Sequence, residues 1–231
     1  MPKRGKKYLL AKKEAETNRD HSAAEAINLI KKLSHRNFEE TVEVSVALNI
    51  KPKEKGERVR GTVILPRGLG RSVKVVVFAA GDKAEAAKKA GAEFIGGDDL
   101  IEKIQGGWSD FDAVVSTPQI MRSVAKLGRI LGPKGLMPSP KVGTVTDDPA
   151  RVVKELKKGK IEYRNDATGV IHAPLGKVSF EDKALLENLE ALLKALEKDK
   201  PPTVKGRYIK SIFLSSTMGP GIKINLPKDN K

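Results

Sequence analysis

Pro66-Arg67-Gly68-Leu69-Gly70, followed closely by Val75-Val76-Val77-Phe78-Ala79-Ala80, decides how this chain is divided. The proline and two glycines punctuate the backbone. The apolar run from Val75 to Phe78 is what a parallel strand buried on both faces requires. A short helix around Lys83 to Ala90 follows and stops at Gly91, and Phe94-Ile95 is a brief strand. Asp98 opens a helix through Leu100, Ile101 and Ile104; Ala113-Val114-Val115 is a third strand; Ile120 to Leu127 is a further helix. Asp148 caps a last helix with Pro149 at its first position, and Gly159 ends it. Strands joined by helices imply a parallel sheet with right-handed crossovers, so residues 68–159 are expected to form a Rossmann-like three-layer α/β domain.

The flanking segments follow other periods. The first twenty residues read as a basic arm, with Lys3, Arg4, Lys6, Lys7, Lys12 and Lys13 and no acid before Glu14. Ser22-Ala23-Ala24-Glu25 is a capping box that starts a helix with Ala26, Ile27, Ile30 and Leu33 on one face. From Thr41 to Asn49 the period is two, with Val42, Val44, Val46 and Leu48 on the buried side. A second strand runs through Val59, Gly61, Val63 and Leu65. Beyond Gly159, the segment from Ile161 to Arg164 is expected to pair with Val170 to His172 as a hairpin across Asp166-Ala167-Thr168-Gly169. Ser179 and Asp182 begin a helix with a stripe of Leu185, Leu189, Leu192 and Leu196, ended by Lys200-Pro201-Pro202. A strand through Ile212 and Leu214 leads into Ser215-Ser216-Thr217-Met218-Gly219-Pro220-Gly221, and a last strand covers Ile222 to Leu226. Neither flank offers enough elements to close a core alone. Together, residues 1–67 and 160–231 are expected to form a discontinuous α+β domain into which 68–159 is inserted.

Charge narrows the function. The chain has 231 residues with 44 Lys and Arg against 29 Asp and Glu, a net charge of +15. That excess is the footprint of a nucleic-acid binder. Residues 68–159 carry 15 basic and 11 acidic side chains, so most of the excess falls on the chain ends, which should present the main anion-binding surface. No apolar run approaches the roughly 18 residues a membrane span needs, and ten aromatic residues give little to anchor a surface helix in lipid. With no cysteine, disulfides, thiolate metal sites and cysteine nucleophiles are excluded. No secretory segment is read at the N-terminus, and the cytosol is the expected compartment.

Catalytic chemistry finds little support. His21, His35 and His172 lack metal-ligand spacing. Gly68-x-Gly70 precedes its strand and lacks the third glycine of a dinucleotide fingerprint, and Gly132-Pro133-Lys134-Gly135 lacks phosphate-loop spacing. The pairs Asp98-Asp99 and Asp147-Asp148 sit where helix capping accounts for them. No cofactor or metal is expected, and an enzyme is not. Two segments stand out instead. Gly128 to Gly143 is a long Pro/Gly-rich loop with Arg129, Lys134 and Lys141, suited either to a phosphate backbone or to a structural cover over the sheet end. Ser215 to Gly221 combines hydroxyls, Met218 and bare backbone, groups that can read the shallow minor groove and 2′-hydroxyls of RNA, although the fragment taken alone reads first as an ordinary β-turn.

At these two segments the chain resembles a known family. Gly128-Arg-Ile-Leu-Gly-Pro-Lys-Gly-Leu-Met-Pro138 and Ser216-Thr217-Met218-Gly219-Pro220 are similar to signatures of the large-subunit ribosomal protein one family, whose members form the mobile side stalk. Asn37-Phe38-Glu39-Glu40-Thr41-Val-Glu-Val44, Val59-Arg-Gly-Thr-Val63 and Arg164-Asn-Asp166 through His172-Ala-Pro174 also resemble that family. The resemblance implies two domains, one inserted into the other, and binding of stalk ribosomal RNA through the first. By motif position it implies an RNA face comprising Phe38, Glu40, Thr41, Arg164, Asp166, His172, Ser216, Thr217, Met218 and Gly219, with Lys3, Arg4 and Lys6 of the basic arm adding phosphate contacts. Asn37 stands where a lysine is common in the family, and Arg36 is expected to substitute for that contact. Arg129, Lys134 and Lys141 would face transfer RNA. The implied partners are large-subunit ribosomal RNA, deacylated transfer RNA leaving the exit site, and the protein's own messenger, whose translation family members can repress through a mimic of the ribosomal site. A monomer within the cytoplasmic ribosome is implied.

Overall fold

A computed structural model describes residues 5–15, 19–34, 37–50, 58–204 and 206–226. The elements in chain order begin with α1 (Lys6–Glu14), α2 (Ala23–Leu33), β1 (Thr41–Leu48), β2 (Arg60–Ile64), β3 (Val75–Phe78) and α3 (Asp82–Lys89). Next come β4 (Phe94–Gly96), α4 (Asp98–Gln105), β5 (Ala113–Ser116), α5 (Met121–Val124), α6 (Gly128–Leu131) and α7 (Pro149–Lys157). The chain finishes with β6 (Lys160–Arg164), β7 (Val170–Lys177), α8 (Asp182–Lys198), β8 (Ile209–Ser216) and β9 (Ile222–Ile224). It is a mixed α/β protein that divides into two compact units, Met1–Gly70 with Ile161–Lys231, and Arg71–Lys160.

The first unit is built on an antiparallel sheet in the order β7-β1-β8-β9. Strand β1 alternates as its sequence dictates: Val42, Val44, Val46 and Leu48 are buried and Glu43 is exposed. Those valines join a core made by both chain ends, including Ile27 and Ile30 of α2, Leu185, Leu189, Leu192 and Leu196 of α8, and Ile212 and Leu214 of β8. Helix α2 starts with the full capping box, Ser22 and Glu25 each accepting the other's amide at 3.2 and 3.0 Å. Helices α2 and α8 therefore cover one face of the sheet. A separate two-stranded ladder joins β2 and β6.

The second unit holds a parallel sheet in the order β4-β3-β5. Its strands are too apolar to face water on either side, and each face has its own cluster. One gathers Val76, Phe78, Leu100, Ile104, Val124, Leu127 and Leu131. The other gathers Val75, Val77, Ala87, Val115, Val152 and Val153. Helices α4, α5 and α6 thus lie on one side and α3 and α7 on the other. Asp148 caps α7 by accepting the amide of Arg151 at 3.2 Å, with Pro149 in the first turn.

Four expectations are corrected. The basic arm is helical over Lys6–Glu14, a stretch without Gly or Pro whose last turn carries Lys12 and Lys13, where cations suit the helix dipole; Lys3 and Arg4 lie outside the described residues. The stretch from Ile120 to Leu127 is α5 followed by a tighter 3₁₀ turn. The loop from Gly128 to Gly143 opens with α6 and closes with a 3₁₀ turn at Pro140–Val142, because Leu131 and Val142 are buried and draw the backbone in. Finally, β6 and β7 do not form a hairpin. They meet at one bridge, Asn165↔Ile171, after which β6 pairs with β2 and β7 with β1. The Asp166 carboxylate accepts the amides of Thr168 and Val170 at 2.8 Å each, tightening the turn so that the chain passes from one sheet to the other.

Candidate nucleic-acid interface

The end of β8 is pinned to the start of β1. Pairing of Val42 with Ser216 brings Thr217 opposite Thr41, and the two then bond reciprocally. The Thr217 amide donates to the Thr41 carbonyl at 3.1 Å, and the Thr41 amide donates to Thr217 Oγ1 at 3.0 Å. Glu40, 2% exposed, lies beneath the turn. Its Oε2 accepts the Met218 amide at 3.1 Å, and its Oε1 accepts the Ser34 hydroxyl at 3.0 Å. Gly219 closes the turn by donating its amide to the Ser216 carbonyl at 3.1 Å. A Cβ there would stand 2.5 Å from Ser216 Oγ, so any other residue requires that hydroxyl to turn away. The backbone is thereby immobilised while Met218 projects, 50% exposed, and Phe38, three residues before Thr41, is 54% exposed. Two large apolar side chains held out beside a rigid hydroxyl-bearing turn present shape and hydrogen-bonding groups together. A shallow cavity beside the turn is lined by Lys7, Tyr8 and Ala11 of α1, with Leu33, Glu40, Met218 and Gly219.

A second group lies at the other end of the sheet. His172 Nδ1 sits 3.0 Å from Ser45 Oγ, four residues along β1 from Thr41, or roughly 13 Å at strand rise. Arg164 ends β6 and Asp166 lies in the turn that enters β7, whose Val170 pairs with Ala47, so both stand roughly 20 Å from the Thr217 turn. Arg164 is exposed. The Asp166 carboxyl is held below its ordinary range, first by the Val170 amide and then by Thr168. It is an acceptor already engaged with its own loop.

A model of the ribosomal protein L1p/L10e family matches residues 30–220. A curated relative named large ribosomal subunit protein uL1, from Lactobacillus acidophilus, is 52% identical over 225 residues, 97% of this chain and 98% of its own length. Another of that name, from Lactobacillus delbrueckii subsp. bulgaricus, is 52% identical over 97% of both chains. The chain belongs to the ribosomal protein L1p/L10e family. That membership gathers the separate motifs of this L1p/L10e chain into one matched span, since both the Phe38–Thr41 and Thr217–Gly219 segments fall inside it.

The structure does not treat the expected RNA-facing residues alike. Thr217, Met218 and Phe38 are exposed, Thr41 is half-buried, and Lys6 is exposed on α1. Glu40 and Ser216 are buried supports of the turn. Arg36 lies outside the described residues. Arg129, Lys134 and Lys141 are all exposed in the second unit. Sequence reasoning missed Lys177, which pairs with Thr41 across the strands and donates from Nζ to Thr41 Oγ1 at 3.2 Å. It also missed Ser45, the partner of His172, although its place on the polar parity of β1 was readable. Among the described residues no group of three or more His, Cys, Asp or Glu is placed to hold a metal ion.

Proposed function

We propose that this chain is the stalk-forming protein of its ribosome, binding large-subunit ribosomal RNA through the unit made from the two chain ends. As a member of its family it is a structural ribosomal protein of the large subunit, not a catalyst. The two compact units are read as an RNA-binding domain and an inserted Rossmann-like domain joined by two chain crossings, an arrangement that allows hinge motion. The observation that carries the reading is the pinned turn. Reciprocal Thr41–Thr217 bonds and the buried Glu40 fix Met218 and Gly219 in one geometry. A rigid surface of this kind suits recognition of RNA by shape and 2′-hydroxyls, while lysines and arginines supply affinity through phosphates. Arg164 and His172 extend the contact along the sheet, and Lys3, Arg4, Lys6 and Arg36 add charge.

The inserted domain presents Arg129, Lys134 and Lys141 to deacylated transfer RNA at the exit site and assists its departure. A messenger segment imitating the ribosomal site competes for the same turn, so excess free protein represses its own translation in the cytoplasm. The binding reading is tested by comparing affinity for a stalk ribosomal RNA fragment with that for a scrambled duplex. Strong preference for the stalk fragment is expected, and equal affinity would defeat the reading. Alanine at Arg129, Lys134 and Lys141 together should weaken transfer-RNA crosslinking in assembled ribosomes and leave stalk-RNA affinity unchanged.

A further inference from the structure

The outward face of the β7-β1-β8-β9 sheet has a composition that simple solvation does not explain. The register places His172, Ser45, Phe213 and Lys223 in one transverse row across all four strands, since Ser45 pairs with both His172 and Phe213, and Phe213 pairs with Lys223. Phe213 stands at the centre of the open face and is 36% exposed. Its parity is wrong for the core, because Ile212 and Leu214 on either side are the buried residues of β8. Most of its neighbours are small, with Glu43 on one diagonal and Lys223 opposite on β9 as the exceptions. Ser211 and Ser215 flank it along the strand, Ser45 lies across from it, and Ala47 is diagonal. Gly221 adds no side chain over the ring, and even a Cβ there would approach Phe213 no closer than 3.8 Å. A partly exposed aromatic ring on this face has His172 and Lys223 at the ends of its row, the first bonded to Ser45 and the second paired with Asp20 at 2.8 Å, groups that can also turn to base edges and phosphates.

We propose that Phe213 is a stacking platform for an unpaired base of the bound RNA, making the open sheet face a second recognition surface continuous with the Thr217 turn. The inference rests on the RNA-binding reading above. Continuity follows from the fold, because the same strand carries Phe213 outward and four residues later becomes the pinned turn. The surface also joins two groups that otherwise stand apart, Thr217 at one end of β1 and His172 farther along it. His172 and Phe213 share one row on either side of Ser45, so an RNA that reaches from the turn to His172 lies beside Phe213. Every base has a π-face, and single-stranded bases stack on aromatic side chains of exposed sheets.

The test measures stalk-RNA affinity for Phe213→Ala, Phe213→Leu and Phe213→Tyr, with thermal melts of each. The ring is outside the core, so folding is expected to survive. Alanine and leucine should each weaken binding roughly 5- to 150-fold, the range for a lost base–aromatic stack, while tyrosine keeps wild-type affinity. Photocrosslinking of the complex should attach a nucleotide at Phe213 within the peptide running from Ser211 to Lys223. Wild-type affinity in the leucine variant would overturn stacking, because apolar contact alone would then suffice. Wild-type affinity in the alanine variant, with the stalk preference intact, would overturn this inference alone. Loss of the stalk preference in the unsubstituted protein would instead overturn the RNA-binding reading beneath it.

Discussion

The buried carboxylate of Glu40 holds the backbone amide of Met218 at 3.1 Å, although 178 residues separate them in the chain. Through this bond a side chain at the head of β1 fixes the turn that ends β8. The carboxylate also accepts Ser34, so it ties the end of α2 to the same point. Glu40 is thus a positioning residue for Met218.

Removing that carboxylate should leave the part-buried Met218 amide without this acceptor. Glu40→Ala is expected to lower stability by about 1–3 kcal/mol, the penalty for an unsatisfied buried polar group. Glu40→Gln keeps the shape, but its NH₂ faces a donor, either the Ser34 hydroxyl or the Met218 amide, so it should fall between wild type and alanine. Urea unfolding followed by circular dichroism measures both. Stalk-RNA affinity should fall in the same order.

The second unit carries the only tryptophan, which makes the units separable in one experiment. Trp108 packs edge-on against Phe94 with ring centroids 4.7 Å apart, and lies 5.3 Å from Phe111. Its fluorescence reports on the unit from Arg71 to Lys160. Glu40→Ala should therefore shift the circular-dichroism transition and leave the Trp108 transition in place. Equal shifts in both probes would mean that the units unfold as one.

Much of the fold was legible because hydropathy periods report local packing. Val42, Val44, Val46 and Leu48 announced their strand, and the Ser22–Glu25 box and Asp148-Pro149 announced helix starts. What failed depended on partners distant in sequence. Nothing in Ile161 to Arg164 says that β2 will outcompete β7 for it, so a hairpin was the natural expectation. The site was legible as motifs more than as roles. Thr217 and Met218 stood out as a segment, but the burial of Glu40 depends on Ser34 and Met218, which no local pattern connects to it. Phe213 is readable as an aromatic on the polar parity of its strand, but no local pattern says that this face of the sheet stays open.

A tight polar junction closes the far side of the first unit. The Tyr163 hydroxyl donates to Asp199 Oδ2 at 2.5 Å, and Gly61 packs directly against the pair. A Cβ at Gly61 would meet Asp199 Oδ2 at 2.2 Å and the tyrosine oxygen at 2.5 Å. Gly61→Ala should destabilise by about 1–3 kcal/mol through this overlap, measured by urea unfolding. Asp199→Asn relieves little, because the bulk remains.

The same junction sets an alkaline limit. Burial, then the nearby Asp199, pushes the Tyr208 hydroxyl up to about 12. Burial and the bond to Asp199 raise Tyr163 as well. An unfolded tyrosine ionises near 10. Both groups therefore contribute stability that is fully present below about pH 10 and is lost as pH rises through their folded values. Phenolate absorbance should show Tyr208 ionising near pH 12, with unfolding free energy declining from about pH 10 upward. Stability flat across that window would contradict the assigned burial.

The most direct test of the account is the ratio of affinities for the stalk ribosomal RNA fragment and a scrambled duplex, measured at two salt concentrations for the wild type and for the double variant Thr217→Ala, Met218→Ala. Phosphate contacts alone would make both affinities fall together with salt, by a log-log slope of roughly 0.7–0.9 per phosphate neutralised. The wild type should show a large ratio that survives added salt, and the double variant should lose it. A double variant that retains the wild-type ratio would contradict the claim that the pinned turn reads the RNA.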